Sequence, residues 1–345
     1  MKRCALKLVV IALAWSASFF LVGRSQGQVR FDWWNHSEQQ GGQQPTTETA
    51  QTPPPMYSGA VAYDADRGRL VLFGGYNRGR YSGETWEWDG GKWTQASRSG
   101  PAARNSPALA YDSRRKKVVL FGGDTQTGPF GDTWEWDGRE WKQAATSGPP
   151  ARSITRLVYD SKRGKTILFG GRTNETLFGD TWEWDGQSWK QVATSGPSAR
   201  FLHGMAYDAA RDRVVLFGGN TAKARPTDTD ILGDTWEWDG TKWTSIKVTG
   251  PSPRDHITLA FDAERKRMVL FGGSGIESVG LLGDTWEWDG QSWKRVAESG
   301  LPARAGHQLA FDTKRKKVLV YGGFMPSGPL TELWEWDGRS WAQVK

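Results

Sequence analysis

Short apolar segments alternate with polar turns from residue 56 to the C-terminus, and the same pattern occurs six times. In the second copy, the apolar segments span residues 106–111, 117–121, 133–136 and 140–144. Each is about as long as one β-strand and is bounded by turn residues. Gly122 and Gly123 end the second segment, and Asp137 with Gly138 is typical of a tight hairpin. The pattern predicts four antiparallel strands in each copy.

A doublet of Trp within the motif Trp-Glu-Trp-Asp-Gly marks the third segment of every copy. Its first Trp recurs at intervals of 48 to 54 residues, at Trp86, Trp134, Trp182, Trp236, Trp286 and Trp334. One four-stranded sheet is too small to be stable alone, whereas six sheets around an axis bury one another's faces. We therefore predict an all-β protein, a six-bladed β-propeller with four antiparallel strands per blade.

The copies resemble the kelch repeat over residues 56–345. The resemblance rests on a double glycine after an apolar strand, as at Gly122 and Gly123, then the Trp doublet and a further Trp such as Trp141. It implies a kelch-type propeller, similar to bacterial secreted kelch proteins and to the central domain of galactose oxidase. Because each copy holds four consecutive strands, we expect blade six to close the ring by packing against blade one, helped by residues 31–34.

The N-terminal region differs from the repeats. Residues 1–27 are typical of an export signal, because Lys2 and Arg3 precede an apolar stretch of about 15 residues, shorter than the roughly 20 of a spanning helix. An uncleaved anchor is the alternative. Cleavage would remove four cations and the single Cys, and the net charge would fall from +7 to +3. Residues 28–55 are expected to be a disordered linker, in which Trp33 and Trp34 either dock on the propeller or form a recognition element.

The aromatic and acidic residues of the motif have structural interpretations. Of the 21 Trp, 18 fall at three fixed positions of the six copies, which favours a packing role over sugar stacking. The Glu between each pair of Trp faces the opposite side of its strand, and no second carboxylate is visible at glycosidase spacing. We expect these Glu residues to form cross-strand pairs with Lys142, Lys190 and Lys294.

The hairpins after the first strand of each copy are strongly basic, with 18 cations on one rim. A polyanion site is one interpretation. Each hairpin follows an Asp, however, and the Asp of each Trp-Asp-Gly turn is expected on the same rim. Twelve carboxylates therefore weaken the field, and we favour a solvated rim that resists aggregation.

An Arg recurs seven residues before the aromatic residue that ends five of the first strands, and the first copy has Met56 instead. The resemblance places these Arg residues at one end of the central channel. They either bind an anionic ligand there or bond to neighbouring loops. Three His residues lie close to them in sequence, and we favour loop hydrogen bonds over a metal site for these. The candidate ligand-binding residues are Arg104, Arg152, Arg200, Arg254, Arg304, His203, His256 and His307.

The copies differ most after the double glycine. Blades four and five carry longer segments there, Asn220–Leu232 and Ser274–Leu282, which we expect to be loops beside a lopsided pocket.

We favour a non-catalytic, exported scaffold that binds a protein or glycan at the channel end, located in the periplasm, on the cell surface or outside the cell. The resemblance leaves open an exported enzyme of the sialic acid mutarotase type, or a structural envelope component. The mature chain has no Cys, which argues against the Tyr–Cys cross-link of the copper-radical oxidases. We expect a monomer without cofactor, metal or nucleic acid, and membrane contact only if the N-terminal segment is not cleaved.

Overall fold

The computed structural model describes residues 52–222, 230–276 and 280–344. The predicted export signal, most of the predicted linker, and Trp33 with Trp34 lie outside these residues. No helix within the described ranges is long and apolar enough to cross a membrane.

Six four-stranded antiparallel sheets follow one another along the chain, and each runs in order from an innermost to an outermost strand. The innermost strands are Ala60–Asp64, Ala108–Asp112, Arg156–Asp160, Gly204–Asp208, Leu259–Asp262 and Gln308–Asp312. The second strands are Arg69–Phe73, Lys117–Phe121, Lys165–Phe169, Arg213–Asn220, Arg267–Ser274 and Lys317–Tyr321. The third are Thr85–Trp88, Thr133–Trp136, Thr181–Trp184, Ile231–Trp238, Leu281–Trp288 and Leu333–Trp336. The outermost are Trp93–Ser97, Trp141–Ala145, Trp189–Ala193, Trp243–Ile246, Trp293–Ala297 and Trp341–Gln343.

Short two-residue ladders extend three of the blades beyond the double glycine. They pair Tyr76–Asn77 with Arg80–Tyr81, Asp124–Thr125 with Gly128–Pro129, and Phe324–Met325 with Gly328–Pro329. The predicted all-β propeller of six four-stranded blades is therefore confirmed.

Two strands of blade two have the predicted bounds and two begin later than predicted. The innermost strand starts at Ala108 because Ser106 adopts a positive φ of 50°, which an extended strand cannot contain. The outermost strand starts at Trp141 because Glu140 belongs to the preceding turn, where its backbone N–H donates to the Asp137 carboxylate at 3.0 Å.

The hydrophobic core is divided into six clusters, each built mainly from two adjacent blades. In one cluster, Phe73 of blade one packs with Leu120, Trp136 and Trp141 of blade two. The Phe73 and Trp141 rings meet edge to face, with centroids 5.4 Å apart. Because each blade buries its neighbour's face, the second Trp of every doublet is buried, which supports its predicted packing role.

The Glu residues of five doublets pair with an Arg of the basic hairpin instead of the predicted Lys. Glu135 lies opposite Lys142 in the strand register, but its ion pair is with Arg115 of the basic hairpin. Arg115 also pairs with Asp112 at 2.7 Å. The predicted pairs of Glu135 with Lys142 and of Glu287 with Lys294 are therefore wrong, because one planar guanidinium of the adjacent hairpin binds two carboxylates together. The same double pairing recurs at Arg67, Arg211 and Arg265.

A Trp–Thr hydrogen bond joins neighbouring blades at five of the six junctions. The indole N–H of the outermost strand donates to the first Thr of the third strand in the preceding blade. The pairs are Trp141–Thr85, Trp189–Thr133, Trp243–Thr181, Trp293–Thr235 and Trp341–Thr285, at 2.8 to 3.0 Å. The sixth junction has Trp93 facing a blade whose equivalent residue is Leu333. This junction therefore lacks the hydroxyl acceptor.

Blade six and blade one nevertheless close the ring by packing, as predicted. Trp86 of blade one and Leu319 of blade six belong to one buried cluster. The Tyr63 hydroxyl donates to Asp312 at 2.5 Å across the same junction. The predicted help from residues 31–34 concerns a segment outside the described ranges.

Replacing Trp141 with Phe should lower the free energy of unfolding by about 1–2 kcal/mol, because the fully buried Thr85 hydroxyl loses its donor. Trp93→Phe is the matched control. It should lower the free energy of unfolding clearly less, since the residue opposite Trp93 is Leu333 and has no hydroxyl. Denaturant unfolding of both variants measures the difference. Equal losses would show that the Trp–Thr bond does not stabilise the junction.

Candidate functional site

Each repeated Arg lies at a junction between two blades. The backbone N–H of Arg104 donates to the Ser82 carbonyl of blade one, and its carbonyl accepts from Gly75, at 3.0 and 2.9 Å. Its side chain turns into blade two, where Nη1 donates to the Gly122 carbonyl at 3.0 Å. The two nitrogens Nη1 and Nη2 also bind the Asp132 carboxylate at 2.6 and 3.0 Å. The residue therefore connects one blade to the next.

The same arrangement occurs at five blade entrances. The ion pairs are Arg104–Asp132, Arg152–Asp180, Arg200–Asp234, Arg254–Asp284 and Arg304–Glu332, at 2.5 to 2.9 Å. Burial alone would raise the pKa of the Asp132 carboxyl, but the hydrogen bonds and charge of Arg104 outweigh it and hold that pKa below its usual range. Arg104 and Arg152 also stack on Phe130 and Phe178 at 3.9 and 3.6 Å.

All five guanidinium groups are buried, and each binds a carboxylate and two backbone carbonyls. The repeated Arg residues were predicted either to bind an anionic ligand or to bond to neighbouring loops. Their contacts are of the second kind. An external ligand could reach these groups only after the blades separate.

The three candidate His residues do not form one cluster. His203 and His307 are fully buried, and their rings meet Phe169 and Phe271 edge to face at 5.5 and 5.3 Å. Burial, together with nearby Arg residues, lowers the pKa of His203 well below its usual value and that of His307 to about 3. Both are therefore neutral at pH 7. Within the described ranges, no group of three His, Cys, Asp or Glu side chains is placed to hold a metal ion.

A ring of six residues with positive φ surrounds the channel at the end where the innermost strands begin. Backbone hydrogen bonds link neighbouring members, from Ser106 to Ser58, from Ile154 to Ser106 and from Gly306 to His256, at 2.8 to 3.2 Å. We call this ring the channel mouth. Its members are Ser58, Ser106, Ile154, Leu202, His256 and Gly306. The backbone is the same in each copy, whereas the side chains range from none to Ser, Ile, Leu and His.

His256 belongs to the channel mouth and carries a carboxylate partner. Its Nδ1 lies 2.7 Å from Oδ1 of Asp255, which is buried. Asn220 of blade four donates to the other carboxylate oxygen at 2.8 Å. An ionised carboxylate can only accept, so this contact fits the tautomer that carries the proton on Nδ1.

Arg156 is a functional candidate that the sequence analysis missed. It begins the innermost strand of blade three, and its Nε and Nη2 donate to the carbonyls of His203 and Ile257 at 2.9 Å each. The side chain therefore reaches blades four and five. Burial without a compensating carboxylate lowers its pKa to about 10, so it remains charged at pH 7.

A sequence signal for Arg156 was present in the alignment of the six copies. The equivalent positions are Ala60, Ala108, Gly204, Thr258 and Gln308. A cation at a position that is otherwise small or uncharged departs from the repeat.

The segments of blades four and five that were predicted to be loops are partly strand. Asn220 pairs with Ile231, and Ser274 pairs with Leu281, so the second and third strands of these blades continue past the double glycine. Only residues 221–230 and 275–280 connect them. The prediction of a loop from Asn220 to Leu232 was wrong at both ends. Strand pairing there satisfies backbone N–H and carbonyl groups that a loop would leave without partners.

Comparisons with known proteins agree with this architecture. The family model for the KLHDC2/KLHL20/DRC7 Kelch-repeats domain matches residues 16–196 and 163–345. The chain belongs to the kelch-repeat family. A solved structure of YjhT is similar in fold, with a TM-score of 0.65, 16% sequence identity, and coverage of 86% of this chain and 99% of that one. A comparison with curated proteins found no match.

Replacing Arg152 with Met should lower the free energy of unfolding by about 3–5 kcal/mol, because the Asp180 carboxylate loses the partner that offsets its burial. Arg98→Met, at an exposed position, is the control and should change stability little. Denaturant unfolding measures both variants. Unchanged stability of Arg152→Met would contradict a structural role for the repeated Arg.

The two buried His residues should make the protein less stable in acid. Their pKa values in the folded state lie below the unfolded value of about 6.5, so their contribution is complete above that pH and is lost as pH falls toward 3. Each adds a slope of up to about 1.4 kcal/mol per pH unit. His307→Leu should therefore flatten the dependence of unfolding free energy on pH between 6 and 5. An unchanged slope would mean that His307 is not buried in its neutral form.

Proposed function

We propose that this kelch-repeat protein is an exported, non-catalytic binding scaffold that recognises a protein or glycan at the channel mouth of blades three to five. The observation that carries the proposal is Arg156, a cation that crosses from blade three to blades four and five with no carboxylate partner among the described residues.

The repeat itself accounts for most of the polar groups at this end of the channel. The repeated Arg residues are saturated by their own blades, and His203 and His307 are buried and neutral. A ligand can therefore be selected only by groups that differ between copies. Those groups are the side chains of the channel mouth and Arg156.

Arg156 favours an anionic group on the ligand. The two backbone carbonyls hold Nε and Nη2, while Nη1 has no hydrogen-bond partner in the described part of the chain. The side chain is partly accessible to solvent. A carboxylate that approached Nη1 would meet a cation that is already oriented and only partly hydrated, which strengthens a charge-assisted hydrogen bond.

The neighbouring members of the channel mouth favour an apolar portion next to that anionic group. Ile154 and Leu202 belong to blades three and four and are partly exposed. A carboxylate joined to a small apolar group, as in a peptide C-terminus, an acidic side chain or an acidic sugar, matches this combination. The proposal therefore covers a protein or a glycan that presents one carboxylate.

A glycan array that includes acidic sugars, together with a peptide array that includes acidic peptides, tests the proposal on the full chain. Arg156→Gln should reduce binding at least tenfold, since a charge-assisted hydrogen bond is worth about 1.5–3 kcal/mol. Arg80→Gln, at an exposed position, should bind normally. Equal binding by wild type and Arg156→Gln, or no binding by either, would reject the channel mouth as a carboxylate site.

A second candidate function has one specific observation in its favour. The His256–Asp255 pair at the channel mouth has the arrangement of a general base held in one tautomer, and Arg156 bonds to the carbonyl of the next residue. Such a pair supports proton transfer on a carboxylated sugar, as in an anomer interconversion. Equilibration of sialic acid anomers followed by NMR tests it. If wild type accelerates this equilibration and His256→Gln does not, the protein is an enzyme and the proposal of a non-catalytic scaffold is wrong.

A further inference from the structure

Blade one retains the acceptors of the Arg–carboxylate pair but not the Arg. In the other blades, the guanidinium binds a carboxylate, the first glycine carbonyl of the doublet, and the carbonyl two residues before the Arg. The equivalent groups in blade one are the Glu84 carboxylate and the carbonyls of Gly74 and Pro54. Met56 occupies the Arg position. We call these three groups the vacant socket.

Blade six shows that a Glu can serve in this arrangement. Arg304 donates to Glu332 at 2.9 Å, to the Gly322 carbonyl at 3.2 Å and to the Pro302 carbonyl at 3.1 Å. The Glu332 carboxylate also accepts from the Trp334 indole at 2.9 Å, as Glu84 does from Trp86. The socket of blade one therefore differs from that of blade six in having no cation.

Glu84 has no ion-pair partner among the residues that the structure describes. Its recorded side-chain contact there is the Trp86 indole, and its own side chain is partly exposed. Met56 also lacks the two backbone hydrogen bonds that each repeated Arg makes to the preceding blade, again within the described ranges. The Glu84 carboxylate of the socket is thus not neutralised by a neighbouring cation. The backbone at Met56 is also less tightly joined to blade six than the backbone at each repeated Arg is to its preceding blade.

A cavity coincides with the vacant socket. It lies between blades one and six and is lined by Pro54, Met56, Gly74, Glu84 and Gly323 among others. Its volume of about 20 Å³ accommodates one water molecule. A guanidinium needs more room, so its binding requires the Met56 side chain, which is unbranched and partly exposed, to move aside.

We propose that the vacant socket of blade one binds a guanidinium group from another molecule, an arginine side chain presented by a partner protein. The same acceptor set holds an arginine of the chain itself in each of the other blades. Arginine suits it better than lysine does, because a planar fork can contact a carboxylate and a carbonyl together. This site is acidic and lies at the junction of blades six and one, apart from the basic channel mouth of blades three to five.

The NMR resonance of the Trp86 indole N–H reports directly on guanidinium binding, because this group donates to the Glu84 carboxylate. Titration of the full chain with N-acetyl-arginine amide should shift the Trp86 indole resonance, which a Trp86→Phe variant identifies. For one exposed side chain, we expect a dissociation constant on the order of 1 mM. N-acetyl-citrulline amide has the same shape without the charge and should bind at least tenfold more weakly.

Three variants make the test specific. Met56→Arg should fill the socket from within, abolish the titration and raise the melting temperature by about 2 °C or more. Glu84→Gln should weaken binding at least tenfold, whereas Glu175→Gln, at an exposed position, should leave it unchanged. If Glu84→Gln proves unstable, Met56→Arg still decides the question, because this variant is expected to be more stable than wild type and yet not to bind the arginine probe.

Several results would overturn the proposal. One is a wild-type chain whose Trp86 resonance does not respond to the arginine probe. Another is equal binding of the citrulline probe, which would mean that the charge of Glu84 does not select the ligand. A third is unchanged binding of the arginine probe by Met56→Arg, which would show that the probe binds elsewhere.

Discussion

The ion pair between a buried Arg and a carboxylate, present at five of the six blade entrances, is the interaction on which most of the ring depends. Apolar packing buries the faces of neighbouring blades, and the Arg adds directional hydrogen bonds to that packing. Its backbone bonds to the preceding blade, and its guanidinium bonds to its own blade. Removing either partner would leave a buried charge without compensation.

Repetition explains why the fold could be predicted from the sequence and the site only in part. Turn glycines, Trp spacing and strand length recur in six copies, so errors in one copy are corrected by the others. The partner of each Arg could not be predicted this way, because Asp132 lies 28 residues from Arg104 and meets it only after the blade has formed. Likewise, Glu135 was expected to pair with Lys142 across one ladder, but it pairs with the guanidinium of Arg115 in the basic hairpin.

Function, on this account, resides where the six copies differ. Arg156 places a cation where other blades have small or uncharged residues, and Met56 removes a cation where other blades have one. The two exceptions have opposite electrostatic consequences and lie in different blades. A ligand with a carboxylate and a ligand with a guanidinium would therefore use separate parts of one ring.

A double-mutant cycle on Arg254 and Asp284 tests the central claim most directly. Arg254→Met, Asp284→Asn and the double variant are compared with wild type by denaturant unfolding, and the coupling energy is taken from the four values. The account predicts a favourable coupling of about 1–3 kcal/mol, because the two groups bind each other at 2.7 Å with the guanidinium fully buried. A coupling energy near zero would show that the ion pair does not stabilise the buried Arg at the blade entrance, and would contradict the account.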